Sequence, residues 1–381
     1  MTAADRPVQR PPDAKLLVVR RSGRITSARR AAFVDLLRAG DVLVANDAAT
    51  LPASLHGVHL PSGAGIEARL AWRGSLEPHD VSDCAAVIFG AGDFHTRTED
   101  RPPPPALRPG DRLVFSSAPG AIRSGGGTAA RPGALSATVE ALLDHPRLVS
   151  LHFDGPPSRI WAGLARHGRP IQYAHMPSPL ALWDVWTPVA AAPVAFEAPS
   201  AGFALDWQSI AGMRQRGVTF ATITHAAGLS STGDAELDTR LPFAEAYRIP
   251  AVTALAICSA RARGGRVIAV GTTVVRALEH AALRDGTVRS GDGVAIGRID
   301  STSRVRVVDV LLSGTHEPGS SHYDLLSAFA DQATLRSMSA ALEASGYRTH
   351  EFGDAVWLEN GSEYVRLKPD ATDTEEMCTF G

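Results

Sequence analysis

Leu16 to Val19 is an unbroken apolar run, and Ser22-Gly23 after it reads as a turn. Ala31 to Leu37 carries apolar residues at helical spacing and ends at Gly40. Asp41 to Ala45 is a second strand pattern, closed by Asn46-Asp47. Strand, helix, strand predicts a layered α/β unit. From His56 to about Leu151 the pattern changes. Ile66 to Trp72 alternates, Ala85 to Phe89 and Arg112 to Phe115 are short apolar runs, and Pro102 to Pro105 and Gly125 to Gly127 are loop signals. Closely spaced strands without a helix predict a small β-barrel or sandwich inserted into the first unit.

After Glu197 the helical and strand periods alternate again. Helices are expected over Asp206 to Arg216, Ala251 to Arg263 and Val274 to Ala282, and near Ser320 to Ala330 and Thr334 to Ala344. Strands are expected over Val218 to Thr224, Arg266 to Val270 and Val305 to Leu312, the last apolar enough to be buried on both faces. The expected architecture is an α/β fold, a layered α/β/α sandwich with an inserted small β-barrel. The expected division is 1–55 and 152–358 for the sandwich, 56–151 for the barrel and 359–381 for a polar tail.

At 381 residues the chain suits more than one core, and its 44% apolar and 20% charged content is ordinary for a globular protein. No run reaches the roughly 20 apolar residues of a membrane helix. Met1 to Lys15 is polar, so a cytoplasmic protein is expected. Cys84, Cys258 and Cys378 are far apart, lack metal-ligand spacing and read as reduced thiols. No metal is expected. The net charge of −2 argues mildly against a phosphate backbone as partner.

Candidate chemistry gathers where strands end. Gly271-Thr272-Thr273 lies between a strand and a helix, where unpaired amides and the helix dipole can hold an anion. On spacing alone a plain turn with hydroxyl caps is the commoner reading. His316 follows the Val305 strand and His225 follows the strand ending at Thr224; each is placed for acid or base work, or simply as a surface histidine. His322 and Tyr323 lie one helical turn past His316. Asn46-Asp47 ends a third strand. If these loops share one sheet edge, a carboxylate, two histidines and the Gly-Thr-Thr turn converge. Glu67, Glu245 and Asp354 read as isolated solvated or capping carboxylates. Ser200 is in no G-x-S-x-G elbow, and no Walker lysine or dinucleotide fingerprint follows any strand.

From Arg261 to Glu279 the chain reads R-A-R-G-G-R-V-I-A-V-G-T-T-V-V-R-A-L-E. This run, Asp41 to Asp47, Ala198 to Phe203, Val307 to Asp309, His316-x-Pro318-x-Ser320, Ser327 to Ala330 and Gly353 to Ala355 together resemble the S-adenosylmethionine:tRNA ribosyltransferase-isomerases of queuosine biosynthesis. The resemblance runs from about Lys15 to Leu358. It implies an α/β sandwich with an inserted barrel and S-adenosylmethionine as substrate. The reaction it implies transfers the ribosyl group to an aminomethyl-deazaguanine in tRNA, to give epoxyqueuosine with loss of adenine and methionine.

On that resemblance, Gly271, Thr272 and Thr273, with Asp47, Ser200 and Gly202, are expected to bind S-adenosylmethionine. His316, His225 and Glu245 are expected to be catalytic. The chain departs from the family at several places. Ala48 to Ser54 lacks two arginines, Arg240 to Glu245 keeps only the carboxylate of a histidine-bearing element, and Arg298 to Ser303 replaces an aromatic segment. Arginine and aromatic side chains are what grip phosphate and a splayed base. A small-molecule acceptor, or a non-catalytic S-adenosylmethionine-binding module, is therefore the alternative reading.

Overall fold

The computed structural model describes residues 1–116 and 133–361. The Gly125 to Gly127 loop signal and nearly all of the polar tail, from 362 on, lie outside the described residues.

Alternate residues of the main-sheet strands go to opposite faces, and both faces are apolar. Leu17, Val19, Val42, Val44, Val267 and Ala269 point into one core, and Leu16, Val18, Leu43, Ala45, Ile268 and Val270 into another. A sheet buried on both sides needs a helical layer on each. Ala251–Ala262, Thr272–Ala281 and Gln332–Ala344 supply Ile257, Val274 and Leu335 to the first core. Arg30–Leu36 and Trp207–Gln215 supply Phe33 and Met213 to the second. The result is the expected α/β/α sandwich.

Among the described residues the sheet has nine strands in the order Gly291–Ala295, Glu245–Ile249, Thr219–His225, Val42–Asn46, Val267–Val270, Val310–Gly314, Ala355–Glu359, Lys15–Val19 and Ile25–Arg29. The run from Thr219–His225 to Val310–Gly314 is parallel. Asn46 pairs with Ile223, Ala45 with Val270 and Val270 with Leu312, so the carboxyl ends of these four strands lie on one edge.

Between Ser54 and Phe153 an antiparallel sheet closes on itself, with Ser54–His59 pairing both Ala64–Trp72 and Arg112–Phe115. Closure depends on Gly57, because a Cβ there would stand 2.2 Å from the Val114 carbonyl oxygen. The expected barrel is therefore present. Inside it Glu67 is buried, not solvated. Its carboxylate accepts hydrogen bonds from Arg69 and Ser54 and pairs with Arg101. Against the cost of burial, the two arginines hold it down at about 2.

Two elements differ from expectation. Arg30–Leu36 is a 3-10 helix without a side-chain cap, and Phe33 and Leu37 still bury the expected apolar positions. The apolar run from Val305 becomes a strand only over Val310–Gly314. Before it, the Glu279 carboxylate accepts the backbone N–H groups of Arg306, Val307 and Val308, so this backbone is satisfied without a neighbouring strand. Cys84 is free and buried, and Cys378 lies outside the described residues. No helix among the described residues is long and apolar enough to cross a membrane.

Candidate functional site

The parallel strands end at Asn46, His225, Val270 and Gly314, and the loops beyond them meet. Asn46 ties three of these ends together. Its Oδ1 accepts the backbone N–H groups of Ala48 and His225, both at 3.0 Å. Its Nδ2 donates to the His225 carbonyl at 2.9 Å and reaches Thr273 Oγ1 at 3.4 Å. The fourth end, Ser313-Gly314, carries His316, whose Nε2 lies 2.9 Å from Ser313 Oγ.

Gly271 makes the turn into the helix Thr272–Ala281 at φ +94, a conformation open to glycine. The helix therefore starts flush with the sheet edge, with the amides of its first turn unpaired within the helix. Gly271, Thr272 and Thr273 line a cavity together with Ser200, Glu245, Arg276, His316 and His322. A second cavity adjoins it across shared walls at Glu197, Ser200, His316 and His322, and extends to Tyr173 and His350.

Electrostatics separate the groups in these cavities. The rings of His316 and His322 stack with centroids 4.9 Å apart and planes 12° from parallel. Burial, with each ring's cationic or histidine neighbours, holds His316 well below the ordinary imidazole range and His322 down at about 4. Both are neutral proton acceptors at neutral pH. Glu197 goes the other way. Burial pushes its carboxyl up to about 7, even though it accepts a hydrogen bond from the Tyr173 hydroxyl.

Several expected site residues sit elsewhere. His225 is fully buried with no hydrogen-bond partner for either ring nitrogen, its Nε2 standing 3.4 Å from Glu245. Burial drives it down to about 3. It stands behind Glu245 and lines neither cavity. Glu245 does reach the cavity, but its carboxylate pairs with Arg276 and accepts the Gly228 N–H at 2.6 Å. Both of its oxygens are thus engaged in fixing Arg276 and the 226–229 loop. Asp47 accepts the Thr224 hydroxyl at 2.6 Å and lines neither cavity. Gly202 packs so closely on Thr187 that a Cβ would come within 2.8 Å of it; its absence of side chain serves that contact. Tyr323 turns away from the cleft, toward Ser339 at 3.1 Å.

Glu197 and Arg276 were not among the expected site residues, and Asn46 was expected only as the end of a strand. Each lies in or beside a quoted motif, yet a carboxylate, a helical arginine and a strand-end amide show no period that marks them. Their roles come from tertiary neighbours.

The family model described as queuosine biosynthesis protein matches residues 1–358. The chain is similar to the S-adenosylmethionine:tRNA ribosyltransferase-isomerase of Sorangium cellulosum, with 34% identity over 374 residues covering 93% of this chain and 94% of the relative. It is 32% identical over 362 residues to the protein of the same name from a Methylobacterium species, covering 93% and 94%. A crystal structure of S-adenosylmethionine tRNA ribosyltransferase from Thermotoga maritima superposes with a TM-score of 0.47 and 22% identity, covering 93% of this chain and 95% of that one.

Proposed function

Since the chain belongs to the queuosine biosynthesis protein family, we propose that it is a transferase using S-adenosylmethionine as ribosyl donor and an aminomethyl-deazaguanine in tRNA as acceptor. The observation that carries the reading is that the Gly271 turn, Ser200 and His316 line one cavity at the carboxyl edge of the parallel strands. The curated relatives are named for ribosyl transfer and isomerisation between S-adenosylmethionine and tRNA.

The sulfonium centre acidifies the adjacent C5′ hydrogens, so catalysis needs a neutral or anionic base beside it in a site that excludes water. His316 is such a base. In the tautomer whose Nε2–H donates to Ser313 Oγ, the Nδ1 lone pair takes the proton. The methionine carboxylate suits the unpaired amides of Thr272 and Thr273 at the helix N-terminus. Glu197, in its ionised form, is the counter-charge for the sulfonium. Arg276, fixed by Glu245, sets a positive edge to the same cavity. Adenine and methionine leave as the ribosyl group rearranges on the acceptor amine. Such chemistry belongs in the cytoplasm, where both substrates are found.

The test is incubation with S-adenosylmethionine and tRNA carrying the aminomethyl base, with adenine and methionine followed by chromatography. Release that requires the modified tRNA supports the proposal. Release with a small amine acceptor alone would replace tRNA as substrate, and binding without any release would make the chain a sensor.

A further inference from the structure

The far end of the second cavity holds a cluster that the proposed reaction does not use. His175 comes from the loop after the strand Gly168–Arg169, and His350 and Glu351 from the turn after Arg348–Thr349. His350 and Glu351 line the cavity, and His175 contacts both of them. Each offers one donor atom, and these atoms lie within 4.8 Å of one another. His175 Nε2 is 3.0 Å from a Glu351 carboxylate oxygen, and the His175 and His350 rings stack with centroids 4.1 Å apart and planes 16° from parallel.

His350 is held in place by its backbone. Its φ is +67, a left-handed conformation that is strained for a non-glycine residue. The turn is kept by bonds that do not involve the imidazole: Gly353 N–H to the His350 carbonyl at 3.0 Å, and Arg348 N–H to Asp354 Oδ2 at 2.8 Å. The surrounding structure thus fixes the direction of the His350 side chain and brings it onto a histidine from a distant loop.

We propose that His175, His350 and Glu351 form a divalent-metal site, of the kind zinc takes, with an open coordination position facing the second cavity. Two imidazoles and one carboxylate are the protein donors of a catalytic zinc site that keeps a fourth position for water or substrate. Bonds of about 2.0–2.1 Å in tetrahedral geometry call for donors roughly 3.4 Å apart, a closure within the reach of side-chain rotation. His350 is exposed, so an ion can enter without opening the fold. The ligand at the open position is an oxygen or nitrogen donor of whatever molecule fills this cavity. The site stands on its own residues and does not depend on the transferase reading.

The experiment is calorimetric titration of untagged, chelator-treated full-length protein with Zn2+, and with Co2+ while recording its visible d–d bands. The expected result is one-to-one binding with tetrahedral Co2+ bands, weakened at least tenfold by His175→Ala, Glu351→Gln and His350→Ala. His350→Ala removes a ring held by stacking, so it reports on the metal with least effect on the fold, which circular dichroism checks. His152→Ala probes the exposed group Asp83, Glu140 and His152 and is expected to leave the binding intact. No binding by the parent protein, or binding that survives His175→Ala and Glu351→Gln, overturns the site. So does loss only in His152→Ala.

Discussion

The side-chain amide of Asn46 pairs with the backbone of His225 as a neighbouring strand would, taking its N–H at 3.0 Å and giving a hydrogen to its carbonyl at 2.9 Å. Asn46 is 2% exposed, so water cannot replace it. Asn46→Ala leaves the buried N–H groups of His225 and Ala48 without their acceptor, each costing about 1–3 kcal/mol. The expected loss of stability, about 2–4 kcal/mol in urea unfolding, should come with weaker S-adenosylmethionine binding, because the Thr273 end of the turn loses its anchor. A variant as stable as the parent would show that the strand ends are held in some other way.

Glu197 links pH to binding. Its carboxyl is pushed up to about 7 by burial, so it is largely protonated at pH 6 and ionised at pH 8. As counter-charge to a sulfonium, it makes affinity for S-adenosylmethionine rise about tenfold across that window, by the usual exchange of about 1.4 kcal/mol per pKa unit. Glu197→Gln should flatten the dependence in calorimetry and hold affinity at the low-pH level. The same group affects the unliganded fold in the opposite sense. Its folded pKa lies above its unfolded value, so the native state keeps a proton the unfolded chain releases. Stability is then highest at low pH and falls as pH rises from about 4.5 to about 7.

His316 is expected to act through its neutral ring. His316→Asn keeps a polar group near Ser313 and removes the base. Adenine release should fall by about 10²- to 10⁴-fold, the usual weight of a positioned general base, with S-adenosylmethionine affinity changed less than threefold. Because burial holds the imidazole well below its ordinary range, turnover should show no loss on the acid side down to pH 6 beyond that caused by Glu197. Full adenine release by the variant would remove His316 from the chemistry.

Much of the fold could be read along the chain because sheet and helix periods are local. The Val42–Asn46 and Val267–Val270 strands and the helices at 251 and 272 fell where apolar spacing put them. The run at Val305 misled because Glu279, a helical carboxylate, satisfies backbone that would otherwise need a strand. The Gly271 turn and His316 were visible as polar residues at strand ends. Glu197 was not, since its shifted acidity depends on burial and on Tyr173. His175 and Glu351 are 176 positions apart, and no spacing rule for metal ligands spans such a gap.

The Gly271 turn separates backbone from side-chain recognition. An alanine there must adopt φ +94 and bring its Cβ within 3.2 Å of the Ala201 Cβ, so the turn must shift, at a cost of about 1–3 kcal/mol. Thr272→Val keeps the amide and loses only a hydroxyl. If the methionine carboxylate rests on the amides of Thr272 and Thr273, Gly271→Ala should weaken S-adenosylmethionine binding at least tenfold and Thr272→Val about threefold or less. A truncated ligand lacking the carboxylate should bind both variants and the parent alike, since the contact the turn provides is then gone. Equal losses with the whole and truncated ligands would place the carboxylate away from this helix, and Ser200 and Arg276 would then be the groups left to receive it.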